Sequence, residues 1–263
     1  CKVICAQAVL EEDLWTMEYE RGAFPSAGLP MGAVVTASGT GAEMNSGAVI
    51  TCEDKLWKGP IVGTAASFAI LDPAYTATVP RMQVLSGAFD TLSHAMETYF
   101  GKPDENNLSD DINEAVMRSV IRNIHVLLTD PENYDARSEL AWASAMAENG
   151  VLKIGKVTDF QCHMLEHQLG AYTNCNHGAG LAVIHPVLYR HIYKSGAARF
   201  ARFAQNVWGV APKGSDDETA SAGVEALAAF IKEIGLPTSF AELGIPADTD
   251  FRAIADSTVL TPG

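Results

Sequence analysis

Apolar residues along this chain change their period near residue 80. Before it, short β-branched runs stand between turn-formers. Gly32 to Thr36, Gly47 to Cys52 and Phe68 to Asp72 are bounded by Gly, Asn and Pro, which predicts buried strands in part of an α/β sheet. After Pro80 the period becomes helical and no run reads as a strand. Leu108, Ile112, Val116, Val120, Ile124 and Leu128 recur at every fourth position until Pro131 ends the element. The same periodicity predicts helices over about 84–100, 134–155, 157–173, 179–194, 197–208 and 216–234. The last opens on Ser215-Asp-Asp-Glu218, a capping-box pattern, and closes at Gly235. The chain therefore reads as α/β plus all-α, with a partial α/β unit over 1–81 and a helical unit over 82–263 and no linker or repeat between them.

Composition narrows the function classes. With 263 residues, 48% of them hydrophobic, the chain has ample material for a packed core. A net charge of −14 without a basic stripe opposes binding to a phosphate backbone, so no nucleic-acid partner is expected. No run of roughly eighteen apolar residues is present, and the opening residues lack the basic and apolar regions of a signal peptide, so no membrane partner and a cytoplasmic location are expected. The five cysteines are odd in number and form no C-x-x-C pattern, which suits reduced thiols better than a disulfide framework. Residue 1 is Cys, the stretch Cys1 to Leu10 reads as the tail of a helix, and the closing Thr-Pro-Gly reads as a turn before another element. Both ends thus read as cut.

The candidate chemistry lies in two histidine-bearing stretches. In DTLSHAMETY, Asp90 and His94 are four apart and share one helix face; HMLEHQLGAYTNCNHG then supplies His163, His167 and His177. Asp90, His94, His163 and His177 offer one oxygen and three nitrogen ligands, a set that suits iron(II) or zinc and leaves room for substrate. An unpaired Asp in such an apolar helix would be costly to bury, and coordination relieves that cost. His125, His185 and His191 have no companions at ligand spacing and read as packed or surface residues. The small-residue turn Ser38 to Glu43 follows a strand, and its exposed amides and hydroxyls could meet phosphate or ribose, although it matches neither G-x-G-x-x-G nor the P-loop. A competing reading takes His163-Met-Leu-Glu166-His167 as an H-x-x-E-H zinc protease motif, with Glu166 activating water; it leaves Asp90, His94 and His177 unexplained.

Together, TASGTGAEMNSGAVIT, AILDPAYTATVP, DTLSHAMETY, DPENYDARSE and HMLEHQLGAYTNCNHGAGLAV resemble the iron-containing (group III) alcohol dehydrogenases, and most closely their butanol dehydrogenase branch. The resemblance implies an N-terminal dinucleotide-binding α/β domain, a C-terminal helical metal domain and a cleft between them. It implies metal ligation by Asp90, His94, His163 and His177, with His167 near the nicotinamide and substrate as a proton relay. Cofactor contacts map onto Thr36, Thr40, Asn45 and Gly47, and onto Lys55 or, as second choice, Lys58. The implied cofactors are iron(II) or zinc and NADP(H) or NAD(H), with the former dinucleotide favoured. The implied substrate is a small alcohol or aldehyde such as butanol or butanal, and the implied assembly a homodimer. Family members also carry a Gly-Gly-Gly-Ser phosphate-binding stretch and about a hundred residues before it, which the resemblance places upstream of residue 1. The expectation is therefore a nearly complete metal half and a truncated cofactor half, with metal binding but little NAD(P)-dependent turnover by the 263 residues alone. The remaining alternative is a non-catalytic metal-binding helical remnant.

Overall fold

The structure is a computed structural model that describes residues 1–158 and 160–258. A short helix, α1 (Lys2–Gln7), is followed by strands β1 (Gly32–Val34), β2 (Gly47–Cys52), β3 (Trp57–Val62) and β4 (Phe68–Ile70). β1 and β4 pair in parallel, Gly32 opposite Phe68 and Val34 opposite Ile70. The antiparallel β2–β3 hairpin, with Gly47 opposite Val62, is inserted between them. The three expected strands exist, but the two short ones end at Val34 and Ile70, and none is buried as expected. Val34, Val49 and Ile70 are 50%, 49% and 45% exposed. Each pair is only two strands wide, and side chains alternate between faces, so one face stays open. Strand β3 escaped the sequence reading because Gly59-Pro60 signals a turn; an edge strand tolerates proline, and a two-stranded sheet has only edges.

Helices follow from residue 81: α2 (Arg81–Tyr99), α3 (Leu108–Thr129), α4 (Tyr134–Glu148), α5 (Gln161–Thr173), α6 (His177–Ile192), α7 (Ala197–Asn206), α8 (Asp216–Glu233) and α9 (Phe251–Thr258). Local caps set their ends more tightly than hydrophobic period does. α4 stops at Glu148, short of the expected 155, because Asn149 and a left-handed Gly150 (φ 92°) turn the chain into a single 3-10 turn. α5 starts at Gln161 instead of 157, since Val157 bridges Lys102 and Phe160 is left-handed (φ 51°). α6 starts two residues early at His177, where the Asn176 side chain accepts the Ala179 amide at 3.0 Å. α9 was not expected, and the fold class was: a β-containing part followed by a helical one. No helix among the described residues is long and apolar enough to cross a membrane.

Helix α2 is the axis of this assembly. From Leu85 to Tyr99 every residue except Gly87 is buried. Its Phe89, Leu92 and Met96 join Met117, Ile124, Leu140 and Leu181 of α3, α4 and α6 in one core. Each such side chain contributes about 1.5–3 kcal/mol on burial. Its C-terminal end is tied down electrostatically. The Tyr99 carbonyl accepts from Arg199 at 2.7 Å and from Lys156 at 3.1 Å, and both cations pair with Asp110, which also closes the capping box of α3 with Asn107. Helix α6 comes so close to α2 that a Cβ on Gly178 would lie 2.0 Å from the Ser86 carbonyl oxygen. Gly178→Ala should therefore push α6 off α2 and destabilise the fold by about 1–3 kcal/mol, the usual cost of overpacking. Urea denaturation measures it, and an unchanged midpoint would show that the contact is soft.

Candidate metal centre

Three of the four candidate ligands meet at one point. Asp90 Oδ1 lies 3.4 Å from His163 Nε2 and 3.5 Å from His177 Nε2, and the three residues offer atoms all within 4.8 Å of one another. Asp90 comes from α2, His163 from the first turn of α5 and His177 from the first residue of α6, so three helices converge here. His94 stands beside this trio, its Nδ1 3.7 Å from Asp90 Oδ1 and its ring stacked on His163 at 4.3 Å between centroids. Asp90 Oδ1, His94 Nδ1 and His163 Nε2 are buried without a hydrogen-bond partner. Orphaned polar atoms are costly, and oxygen and imidazole nitrogen facing one another are the donor chemistry of a divalent ion, so these residues fit one.

Two buried carboxylates stand behind the imidazoles. Glu97 Oε2 makes a very short contact with His163 Nδ1, and Glu166 Oε2 makes one with His177 Nδ1. Both leave the Nε2 atoms facing Asp90, as the outer partners of metal-bound histidines do. Glu97 was missed by the sequence reading, although it lies seven residues after Asp90 and three after His94 on the same helix face. Glu166 is engaged with His177 and, at 3.4 Å, with Lys58 Nζ. It is therefore an orienting group and not the free water-activating base that the protease reading requires. Glu166, His167 and His177 also cluster within 4.8 Å, but the Lys58 ammonium against Glu166 makes that a poorer seat for a dication.

The charges here shape one another. Burial alone would raise the Asp90 pKa, but the imidazoles of His94, His163 and His177 outweigh it and hold Asp90 below the usual carboxylate range. Burial would lower that of His163, yet Glu97 and Asp90 push it up to about 10. His167 is pulled well below its ordinary value by burial and then by the charges of His163, His177 and Lys58, so it is neutral near pH 7. Its Nδ1 is buried without a partner, and its ring stacks on His177 at 5.4 Å. His185 is a packed residue that joins Ser93 Oγ at 2.6 Å to Cys162 Sγ at 3.2 Å, while His125 pairs with Glu233 at the surface and His191 is exposed.

The candidate cofactor contacts are placed less uniformly. Thr36 and Thr40 are exposed. Asn45 Oδ1 and the Gly47 carbonyl accept from Lys2 Nζ at 2.6 and 2.7 Å, and Asn45 Nδ2 donates to the Gly41 carbonyl at 2.9 Å. Lys55 is not at the centre; its Nζ sits over the Trp15 ring at 5.2 Å. Lys58 is the lysine that reaches the centre. In the 38–43 turn, two of the amides expected to be exposed are taken up. Gly39 and Gly41 both donate to Ser144 Oγ at 2.9 Å, because one hydroxyl can accept two bonds. The turn is thereby fixed beside Asp90: the Gly39 carbonyl accepts from Thr91 Oγ1 at 3.2 Å.

Comparison with known proteins places the chain in a family. The model of the C-terminal domain of the Fe-containing alcohol dehydrogenase family matches residues 84–261. NADH-dependent butanol dehydrogenase A of Clostridium acetobutylicum is 34% identical over 251 residues, covering 94% of this chain and 64% of that protein. NADPH-dependent aldehyde reductase YqhD of Escherichia coli is 34% identical over 248 residues, covering 93% of this chain and 64% of that protein. The crystal structure of NADH-dependent butanol dehydrogenase A from Thermotoga maritima superposes with a TM-score of 0.91 at 33% identity, over 98% of this chain and 64% of its own. The chain thus spans about two thirds of the length of these relatives. On the match over α2 to α9, this chain belongs to the iron-containing alcohol dehydrogenase family.

Proposed function

We propose that this protein is a metal-dependent, NAD(P)-linked alcohol dehydrogenase or aldehyde reductase acting on small primary alcohols and aldehydes, butanol and butanal among them. The observation that carries the proposal is the meeting of the buried Asp90 Oδ1 and His163 Nε2 with Nε2 of the half-buried His177, His94 beside them, in a chain of this family. These four residues would hold the ion, and their one oxygen and three nitrogens suit iron(II) or zinc. When bound, such an ion is a Lewis acid for an alcohol or carbonyl oxygen, and the nicotinamide is the hydride carrier.

The chain's own residues do the rest. His167, neutral and with an unpartnered Nδ1, accepts the alcohol proton without occupying a metal position. Glu97 and Glu166 hold His163 and His177 in place. The exposed Thr36 and Thr40, with Asn45, Gly47 and Lys58 (or Lys55), face the dinucleotide; the relatives include NADH- and NADPH-dependent enzymes, so either fits. The five cysteines form no disulfide among the described residues, which suits a reducing compartment such as the cytoplasm.

Mutation separates ligands from relay. His94→Ala, His163→Ala and His177→Ala should each lose stoichiometric metal by elemental analysis and abolish turnover of butanal. His167→Ala should keep its metal and slow turnover by about 10²–10⁴-fold. Full metal content in all three ligand variants, or metal loss in His167→Ala, would contradict these roles.

Metal loading should also release protons. His163 is raised to about 10 in the metal-free chain, so at pH 7 the site holds a proton that a metal ion must displace. Apparent metal affinity then rises with pH, up to tenfold per unit, until pH approaches that value. Calorimetric titration of zinc in buffers of different ionisation enthalpy counts the released protons. Identical heats in all buffers would show that the site is already deprotonated.

A further inference from the structure

We propose that Glu97 is a positioning residue that selects the His163 tautomer able to ligate through Nε2, while also capping the helix that carries His163. The proposal rests on the metal-centre reading above. Phe160 precedes helix α5 in the left-handed region (φ 51°), and its side chain makes no cap hydrogen bond. The first amides of a helix need acceptors from elsewhere. Glu97, arriving from α2, supplies them, taking the Cys162 amide on Oε1 at 2.6 Å and the His163 amide on Oε2 at 3.3 Å. A carboxylate at a helix N-terminus is also favoured by the dipole there.

The same Oε2 faces the His163 ring. An ionised carboxylate only accepts, so the ring nitrogen against it, Nδ1, must carry the hydrogen. In a neutral imidazole the other nitrogen is then a bare lone pair. That nitrogen, Nε2, looks at Asp90 Oδ1 across 3.4 Å, and neither atom has a hydrogen-bond partner. A cation that takes the place of the His163 proton meets a lone pair on each of these two atoms. Glu97 thus does two jobs for residues 65 and 66 positions away in the sequence. Glu166 stands in the same relation to His177, but its pairing with Lys58 makes it the less clean test.

Glu97→Gln separates the two jobs. The glutamine carbonyl can still accept the Cys162 amide, so α5 keeps the shorter of its two cap bonds and loses only the longer one from the His163 amide. Its NH2 group then faces His163, turns Nδ1 into the acceptor and puts the hydrogen on Nε2, where it blocks ligation. Chelator competition should show zinc affinity lowered by about 10–100-fold, while the metal-free protein melts close to wild type. In zinc-loaded wild type, long-range ¹H–¹⁵N spectra should place the His163 proton on Nδ1. Zinc affinity of Glu97→Gln within about twofold of wild type, or a wild-type His163 proton on Nε2, overturns the proposal. The spectral arm decides by itself if the variant fails to fold. A wild-type protein that takes up no zinc or iron(II) sinks the metal-centre reading itself, a result distinct from equal affinities in wild type and variant.

Discussion

A helix buried on nearly every side carries Asp90, His94 and Glu97 along one stripe, and the rest of the structure answers the cost of burying them. Ionisable groups in a core must be paired or must coordinate. Glu97 is satisfied by the amides and ring of α5, and His163 by Glu97. Asp90 Oδ1 is left surrounded by imidazoles yet unbonded. The first turns of helices α5 and α6 bring His163 and His177 to this stripe. Their ends are correspondingly set by polar caps, Glu97 for one and Asn176 for the other.

The centre is also where the β-containing part meets the helices. Ser144 of α4 holds both amides of the turn after β1, and Thr91, next to Asp90, holds a carbonyl of that turn. Lys58 of β3 reaches Glu166, which in turn holds His177. Residues that would face a dinucleotide are therefore one or two contacts from residues that would hold the ion. Such short connections suit a reaction in which both must be placed against one substrate.

What the sequence disclosed follows from the range of the interactions involved. Asp90 and His94 were legible because helical spacing is local, and the helical part because its apolar period is regular. His163, His167 and His177 stood out by residue type. Glu97 was hidden although it shares the stripe of Asp90 and His94, since its partners lie 65 and 66 positions away. Ser144 was hidden for the same reason, at separations of 103 and 105. Strand β3 was masked by a Gly-Pro pair whose meaning depends on whether the strand is at an edge. Lys55 was named ahead of Lys58 on an uncertain local spacing, and only the hairpin register shows that Lys58 points at Glu166.

The central claim is that a single ion sits where Asp90, His94, His163 and His177 converge. Crystals grown with iron(II) or zinc, with anomalous diffraction recorded on both sides of the metal edge, test it most directly. The account predicts one strong peak bonded to Asp90 Oδ1, to Nε2 of His163 and His177, and to His94. A peak seated instead between Glu166 and His167, or no peak in a protein shown to be folded, would contradict it.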